Sequence, residues 1–316
     1  MTALTTAIDE ACSFILPKVR AFKDAIPKEG GRPEPFLLGL SGMQGSGKST
    51  WAKSLAGRLH SAYQFKTLIL SLDDLYHPHE NLVKIREQNS SNKLFRNRGQ
   101  PGTHDEVLAK QFFSSLLAGE AVNVPSFDKS RFDGGGDRVP QSEWEHVSPN
   151  PPVDVIIFEG WCLGFQATSN DQLEEHWAAS RHVDTAIVDK DTLSTMLMRT
   201  HALEHLKVVN DNLRRYNESF MGPEKFDYFV HLDTEHLHNV YRWRIQQEEA
   251  LRAVKGAGQT DEQIIAFVQA YMPAYEIYLD RLRQEAFPAG RHGTQDKRQL
   301  RICLDENRGI VSMNEL

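Results

Sequence analysis

A glycine-rich turn between an apolar run and a helical pattern constrains this chain more than any other feature. The apolar residues 36–41 are short enough for a buried strand, and residues 42–50 read Gly-Met-Gln-Gly-Ser-Gly-Lys-Ser-Thr. Trp51, Leu55 and Leu59 then recur at helical spacing. Because strand, glycine turn and helix follow one another in the order that phosphate binding requires, the stretch is typical of a P-loop.

The pattern G-x-x-x-x-G-K-[ST] predicts the residues that contact nucleotide phosphates. Gly42 and Gly47 let the backbone approach phosphate oxygens, and the helix that follows adds the positive end of its dipole. Lys48 supplies a charge for the β- and γ-phosphates, and the Ser49 hydroxyl is placed to ligate Mg²⁺. The predicted nucleotide contacts are Gly42, Met43, Gln44, Gly45, Ser46, Gly47, Lys48, Ser49 and Thr50.

Composition narrows the class of protein. The chain has 316 residues, 40% hydrophobic and 25% charged, as expected for a soluble globular protein of one large or two smaller domains. Its formal net charge of −7 argues against a nucleic-acid partner or an anionic membrane surface. The cysteines Cys12, Cys162 and Cys303 form no CxxC pair, so neither a disulfide framework nor a zinc knuckle is predicted. Since no long apolar run opens the chain, we expect a cytoplasmic protein, and its oligomeric state stays open.

Acidic residues follow two further apolar runs. Residues 66–72 predict a second buried strand that ends in Asp73 and Asp74, beside the phosphates of a P-loop sheet. One such acid can orient and deprotonate an acceptor hydroxyl, and one can hold Mg²⁺ through water. Residues 153–158 predict a third strand capped by Glu159, the Walker B position that helps to hold Mg²⁺.

Two basic segments lie in the expected substrate region. Residues 81–104 are polar and basic in an acidic chain, and three of their basic side chains lie next to a Gly- and Pro-rich turn. Residues 122–132 alternate two cations with aromatics, and an extended segment would place those cations on one side. Such side chains can bind an acidic small-molecule substrate. The candidates are Arg96, Arg98, His104, Lys129 and Arg131.

The rest of the chain predicts an alternation of helices and strands. Apolar runs at 226–232 and 299–304 predict two more strands, and Thr260 opens a capping box before a helix. An amphipathic helix with a kink at Pro17 is expected before the P-loop strand, followed by a Gly- and Pro-rich linker at 28–35.

Several motifs together resemble a known group of kinases. Residues 42–50, 71–76 and 158–161 resemble the superfamily of phosphoribulokinase, uridine kinase and pantothenate kinase, which phosphorylate small metabolites. Residues 240–248 and 260–275 closely resemble the plant-type D-glycerate 3-kinase family and its fungal relatives. The resemblance implies an α/β P-loop fold, with a mainly parallel sheet and helices on both faces, that uses ATP and Mg²⁺ and has a lid over the phosphates.

The resemblance also assigns roles to particular residues. The acid that follows Ser71 and Leu72 corresponds to the acceptor-activating aspartate of the superfamily, which makes it Asp73 and not Asp74. Tyr76 of the same motif is expected at the substrate. Arg242 and Arg244 occupy the place of a lid arginine. The magnesium candidates are Ser49, Asp73 and Glu159.

We expect two parts in the chain. Residues 1–35 would form an N-terminal helical extension and linker, and residues 36–316 a kinase domain. Within that domain we expect a substrate-binding insertion at about 77–150 and a lid at about 235–258.

Three functions are compatible with this sequence. The leading one is transfer of the γ-phosphoryl group of ATP to the primary hydroxyl of D-glycerate, which gives 3-phosphoglycerate. A second keeps the kinase but changes the acceptor to a nucleoside, pantothenate or another hydroxy acid. A third is an ATP-binding regulator with little turnover. A GTPase switch is disfavoured because the guanine-reading pattern N/T-K-x-D is absent from the chain.

Overall fold

A six-stranded, mainly parallel sheet forms the centre of the protein. In the computed structural model the strand order is β10-β9-β8-β1-β7-β2, and only β9 and β10 pair antiparallel. Two short antiparallel ribbons, β3 with β6 and β4 with β5, lie outside it. The strands are β1 Phe36–Gly42, β2 Thr67–Ser71, β3 Val122–Val124, β4 Phe127–Asp128, β5 Asp137–Arg138, β6 Glu145–Val147, β7 Val155–Gly160, β8 Tyr228–Asp233, β9 Gln299–Leu304 and β10 Ile310–Glu315. The structure describes residues 3–25, 34–182, 193–255, 258–284, 287 and 297–316.

Helices cover both faces of the sheet. None of those in the described part of the chain is long and apolar enough to cross a bilayer. They are α1 Ala3–Ala25, α2 Lys48–Tyr63, α3 His79–Gln88, α4 Glu106–Leu117, α5 Asn170–Arg181, α6 Leu203–Tyr216, α7 His238–Lys255, α8 Asp261–Gln269 and α9 Met272–Gln284.

The core is divided by the sheet into two layers. On one face, Ile15 of α1 and Leu55 of α2 pack with Leu38 of β1. On the other, Phe112 of α4 and Tyr275 of α9 lie in the cluster that includes residues of β2 and β7. Every residue of β1 is buried, as expected for a parallel strand covered on both sides.

The fold class predicted from the sequence is confirmed. The strands at 36–41, 66–72, 153–158, 226–232 and 299–304 are all present, with ends shifted by two residues or fewer. Thr260 caps α8 through a capping box with Gln263. Helix α1 runs through Pro17 as one element and packs in the core with β1. Of the predicted linker at 28–35, residues 28–33 lie outside the described residues.

Parallel pairing brings three strand ends to one edge of the sheet. β1 ends at Gly42, β2 at Ser71 and β7 at Gly160, and the register pairs Ser71 with Glu159. Residues that follow these strands therefore converge at the carboxyl edge, which is where open α/β sheets bind ligands. The P-loop, Asp73 and Glu159 meet there.

Candidate active site

The loop after β1 has the backbone geometry of a phosphate cradle. Gly45 and Gly47 have φ values of +80° and +93°, which favour glycine, and α2 begins at Lys48. A Cβ atom on Gly45 would lie 2.7 Å from Cβ of Trp243, so the loop also needs glycine for its close approach to α7. The Lys48 ammonium donates to the Met43 carbonyl at 3.1 Å. The loop is thus folded as the sequence predicts for a nucleotide phosphate site.

Ser49 and Glu159 are the residues best placed for Mg²⁺. The Ser49 hydroxyl donates to Glu159 Oε1 at 2.9 Å, and Glu159 is buried. The described residues contain no group of three or more His, Cys, Asp or Glu side chains that could hold a metal. A pair of hard oxygen ligands beside a phosphate cradle nevertheless fits Mg²⁺, because this ion usually keeps several waters and takes only one or two protein ligands together with substrate phosphates.

Lys48 lies among carboxylates at the same point. Burial lowers the pKa of its ammonium group, and the charges of Glu159 and Asp73 act in the opposite direction. The lysine therefore has two acids nearby that help to keep it protonated.

Of the adjacent acids Asp73 and Asp74, Asp73 lines the cleft. It lies in the short 3₁₀ turn Leu72–Leu75 after β2, and its carboxylate is bonded to the Lys129 ammonium. Burial raises the pKa of Asp73, but the Lys129 charge, the Lys129 hydrogen bond and a hydrogen bond from Tyr76 outweigh it and lower the pKa to about 2. The carboxylate is therefore held ionised.

Asp74 has different partners. Its carboxylate accepts hydrogen bonds from the backbone N–H of Ser71 at 3.3 Å and of Phe127 at 3.2 Å. The first bond completes a capping box with the Ser71 side chain. Burial raises the pKa of Asp74 to about 6, and the two hydrogen bonds oppose that shift. Asp74 thus ties the turn to β4.

Two cations line the cleft near Asp73. Lys129 has a side chain that is 57% exposed although it is bonded to Asp73, so it is free to exchange partners. Arg96 is exposed and lines the same cleft. Tyr76, which is buried, lines it as well. These three predicted substrate residues therefore line one cleft.

Arg98 is used within the protein. Its Nη1 donates to the carbonyls of Gly134 and Gly135 at 2.6 and 2.8 Å. Its guanidinium lies 5.7 Å from the centroid of the Tyr76 ring and 5.3 Å from that of Phe127. Arg98 lines the cleft, but its charge holds the glycine loop in place.

His104 and Arg131 lie outside the cleft lining. His104 is buried behind Tyr76, with the two rings stacked at 4.4 Å, and burial lowers its pKa to about 3. Arg131 pairs with Asp128 at 3.3 Å. The extended segment expected up to residue 132 ends at Asp128, because the Asp128 carboxylate accepts bonds from Ser130 and the chain turns. Lys129 and Arg131 therefore do not share a strand face.

The two candidate lid arginines have different surroundings. The Arg242 guanidinium pairs with Glu306 and is 57% exposed, outside the cleft lining. Arg244 lines the cleft, lies 5.4 Å from the centroid of the Phe267 ring and is 3.7 Å from Glu248. Only Arg244 faces the cleft.

The cleft itself has a volume of about 1970 Å³ and extends from the P-loop to α8. Of the nine P-loop residues, those from Gln44 to Thr50 line it, whereas Gly42 ends β1 and the Met43 side chain is buried in the core. Arg308 also lines it and was missed from the sequence. It lies in the turn between β9 and β10, and the sequence pattern predicts no strand after residue 304.

Comparisons with known proteins identify relatives over almost the whole chain. It is 35% identical, over 95% of its length, to the uncharacterized kinase mug58 of Schizosaccharomyces pombe, of which it covers 98%. The probable ATP-dependent kinase TDA10 of Saccharomyces cerevisiae is 35% identical over 90% of this chain and 89% of that protein. The chloroplastic D-glycerate 3-kinase of Arabidopsis thaliana is 33% identical over 91% of this chain, which spans 56% of the plant enzyme. A pantothenate kinase of Rhizobium leguminosarum matches 40% of the chain at 34% identity.

A solved structure shares the complete fold. The D-glycerate 3-kinase from Cryptococcus neoformans is 31% identical, superimposes with a TM-score of 0.83 and covers 98% of this chain and 99% of its own. No protein-family model matches the chain.

Proposed function

The chain belongs to the kinase family that contains the plant-type D-glycerate 3-kinases and their fungal ATP-dependent relatives, and we propose that it phosphorylates D-glycerate at its primary hydroxyl. All of these relatives are named as kinases. The acceptor is our proposal, because two fungal relatives at 35% identity carry names that state no substrate.

One observation carries the proposal. An ionised carboxylate, Asp73, lies at the carboxyl edge of the sheet between the P-loop and a cation, Lys129, that is bonded to it. The acid provides a group to receive a hydroxyl proton, and the cation provides a partner for a substrate carboxylate. D-Glycerate carries both a primary hydroxyl and a carboxylate. A nucleoside has no need of the cation.

The residues then divide the work of phosphoryl transfer. Lys48 stabilises charge on the oxygens of the transferred phosphoryl group, and Asp73 orients the acceptor hydroxyl and takes its proton. Ser49 and Glu159 would hold Mg²⁺, which would supply positive charge beside the nucleotide phosphates. Arg244 is the lid arginine that faces the phosphates. Positioning and electrostatics supply most of the catalysis in reactions of this type.

The acceptor is bound by a smaller set of residues than the sequence indicated. We propose Lys129 and Arg96 for its carboxylate and Tyr76 for its other face. Arg98 is left out because its Nη1 donates to two loop carbonyls, and His104 and Arg131 because they lie outside the cleft lining. In this scheme the insertion at 77–150 binds the acceptor and the segment at 235–258 closes over the nucleotide.

The acceptor is tested directly with purified protein, MgATP and a coupled readout of ADP release. D-Glycerate should give saturable turnover and 3-phosphoglycerate, while uridine and pantothenate give background rates. Asp73→Asn serves as the matched control, since it keeps the P-loop intact. Robust ATP binding without turnover on D-glycerate would remove the acceptor from the proposal and leave a kinase whose substrate lies elsewhere. Slow ATP hydrolysis that no acceptor accelerates would favour a regulator.

A further inference from the structure

Arg308 connects three parts of the protein that are distant in sequence. It lies in the turn between β9 and β10, lines the cleft, and its Nε donates to the carbonyl oxygen of Gly45 in the P-loop at 2.7 Å. Its Nη2 donates to the Trp243 carbonyl at 2.9 Å and its Nη1 to Gln246 Oε1 at 2.8 Å, both in α7. A single guanidinium thus bridges the phosphate cradle and the helix that carries Arg244.

The contact with Gly45 fixes the direction of one peptide group in the cradle. A trans peptide is planar, so its C=O and N–H point in opposite directions. The Arg308 guanidinium holds the Gly45 carbonyl, so the N–H of Ser46 in the same peptide group points the opposite way and donates to the Met43 carbonyl at 3.2 Å. Both ends of this peptide group are therefore fixed, and with them the turn that carries the neighbouring N–H groups, which a P-loop presents to phosphate oxygens.

The turn that carries Arg308 is built to present it. The residue has a φ of +64°, in the left-handed region that a non-glycine side chain adopts only at some cost. The Asp305 carboxylate accepts hydrogen bonds from the N–H groups of Asn307 at 2.8 Å and Gly309 at 2.7 Å, and these bonds hold the turn. Strained backbone of this kind persists where its surroundings impose it, often next to a binding site.

We propose that Arg308 is a positioning residue for nucleotide binding, which sets the P-loop peptide at Gly45 and couples it to the place of α7. The inference rests on the proposed use of ATP. The ligand is the phosphate chain of MgATP, and the acceptor plays no part. Movement of α7 during lid closure displaces Trp243 and Gln246, which bond to Arg308. Because the same guanidinium holds the Gly45 carbonyl, this movement also shifts the P-loop.

The test measures MgATP affinity by calorimetric titration in the absence of acceptor. Arg308→Ala should weaken binding roughly 10- to 100-fold, the usual cost of losing a hydrogen bond to a charged group. Arg308→Asn, which tolerates the left-handed backbone, should weaken it as much, because the guanidinium and not the strain is responsible. Millimolar ethylguanidine should restore part of the affinity of Arg308→Ala. Arg308→Lys, which keeps the positive charge but lacks the planar fork that reaches all three acceptors, should be intermediate.

Glu306→Gln is the matched control. It removes a different contact between this turn and α7, the exposed ion pair with Arg242, and should change MgATP affinity by no more than about twofold. Wild-type affinity in Arg308→Ala, or an equal loss in Glu306→Gln, would overturn the inference. Failure of the wild-type protein itself to bind MgATP would instead remove the proposed function on which the inference depends.

Discussion

Asp73 and Asp74 are adjacent in sequence, yet their carboxylates serve different surroundings. Asp73 is bonded to the Lys129 ammonium at the edge of the cleft, whereas Asp74 accepts backbone hydrogen bonds from Ser71 and Phe127. The separation arises because the chain enters a 3₁₀ turn directly after β2, so consecutive side chains point in different directions. The acid proposed for catalysis, Asp73, and the acid that supports the turn, Asp74, are therefore neighbours in sequence.

The two acids should therefore differ in mutagenesis. Asp73→Asn should leave ATP binding largely intact and lower kcat by roughly 10²- to 10⁴-fold, the usual contribution of a positioned general base. Asp74→Asn should lower the free energy of unfolding by about 1 kcal/mol through weaker hydrogen bonds to the backbone, with a small change in kcat. Steady-state kinetics and thermal unfolding of both variants check this. A larger loss of kcat in Asp74→Asn would move the base to Asp74.

The P-loop residues Lys48 and Ser49 should also differ in their effects. Lys48→Ala removes charge at the transferred phosphoryl group and should lower kcat by about 10²-fold or more. Ser49→Ala removes a proposed magnesium ligand and should raise the Mg²⁺ concentration needed for half-maximal rate. Titration of MgCl₂ at fixed ATP separates the two. If Lys48→Ala binds and turns over ATP like the wild type, the loop is not a nucleotide site.

The lid arginines should be unequal. Arg244 faces the cleft and Arg242 pairs with Glu306 outside its lining. Arg244→Ala should therefore lower kcat far more than Arg242→Ala, with a loss approaching the roughly 10³-fold or more seen when an arginine finger is removed. Single-turnover measurements with saturating ATP check the chemical step. Two mild and equal losses would argue against a lid role for either residue.

A feature of the fold or of the candidate site could be predicted from the sequence where a local pattern of residues determines it. The sheet strands, the P-loop and the capping box at Thr260 were predicted, because short-range periodicity and turn chemistry determine them. The roles of Arg98 and Arg308 were not, since both depend on distant partners, the Gly134 carbonyl in one case and the Gly45 carbonyl in the other. A basic residue near a binding loop has the same sequence signature whether it binds substrate or the protein backbone.

A partly buried carboxyl group in α9 predicts a pH effect on stability. Glu276 of α9 accepts hydrogen bonds from the backbone N–H groups of Leu197 and Met198, next to residues that line the cleft. Burial raises its pKa from 4.5 to about 7, although these bonds oppose the shift. Because the folded state binds this proton more tightly than the unfolded state, the stability it contributes is complete below pH 4.5 and is lost as pH rises to about 7.

Glu276→Gln isolates that effect. The amide keeps an oxygen acceptor for Leu197 and Met198 but cannot ionise. The wild-type melting temperature should therefore fall relative to that of the variant as pH rises from 4.5 to about 7, and the difference should stay constant above that. Curves of melting temperature against pH that run parallel for the two proteins would contradict the prediction.

The ion pair between Lys129 and Asp73 predicts how the enzyme responds to the charge of its acceptor. The ammonium is bonded to the acid that is proposed to meet the acceptor hydroxyl. A carboxylate on the acceptor competes for Lys129 and leaves Asp73 accessible, whereas a neutral acceptor such as glycerol does not.

Wild-type kcat/KM should therefore favour D-glycerate over glycerol by a large factor. Lys129→Met should reduce this ratio in two ways, by lowering kcat/KM for D-glycerate and by raising kcat/KM for glycerol relative to the wild type. The control is Arg96→Ala, which leaves the ion pair of Lys129 and Asp73 in place. This variant should raise KM for D-glycerate without raising kcat/KM for glycerol, because only ground-state binding of the carboxylate is lost. If the ratio of kcat/KM for D-glycerate to that for glycerol is unchanged in Lys129→Met, the ammonium does not recognise the charge of the acceptor and serves only to hold Asp73.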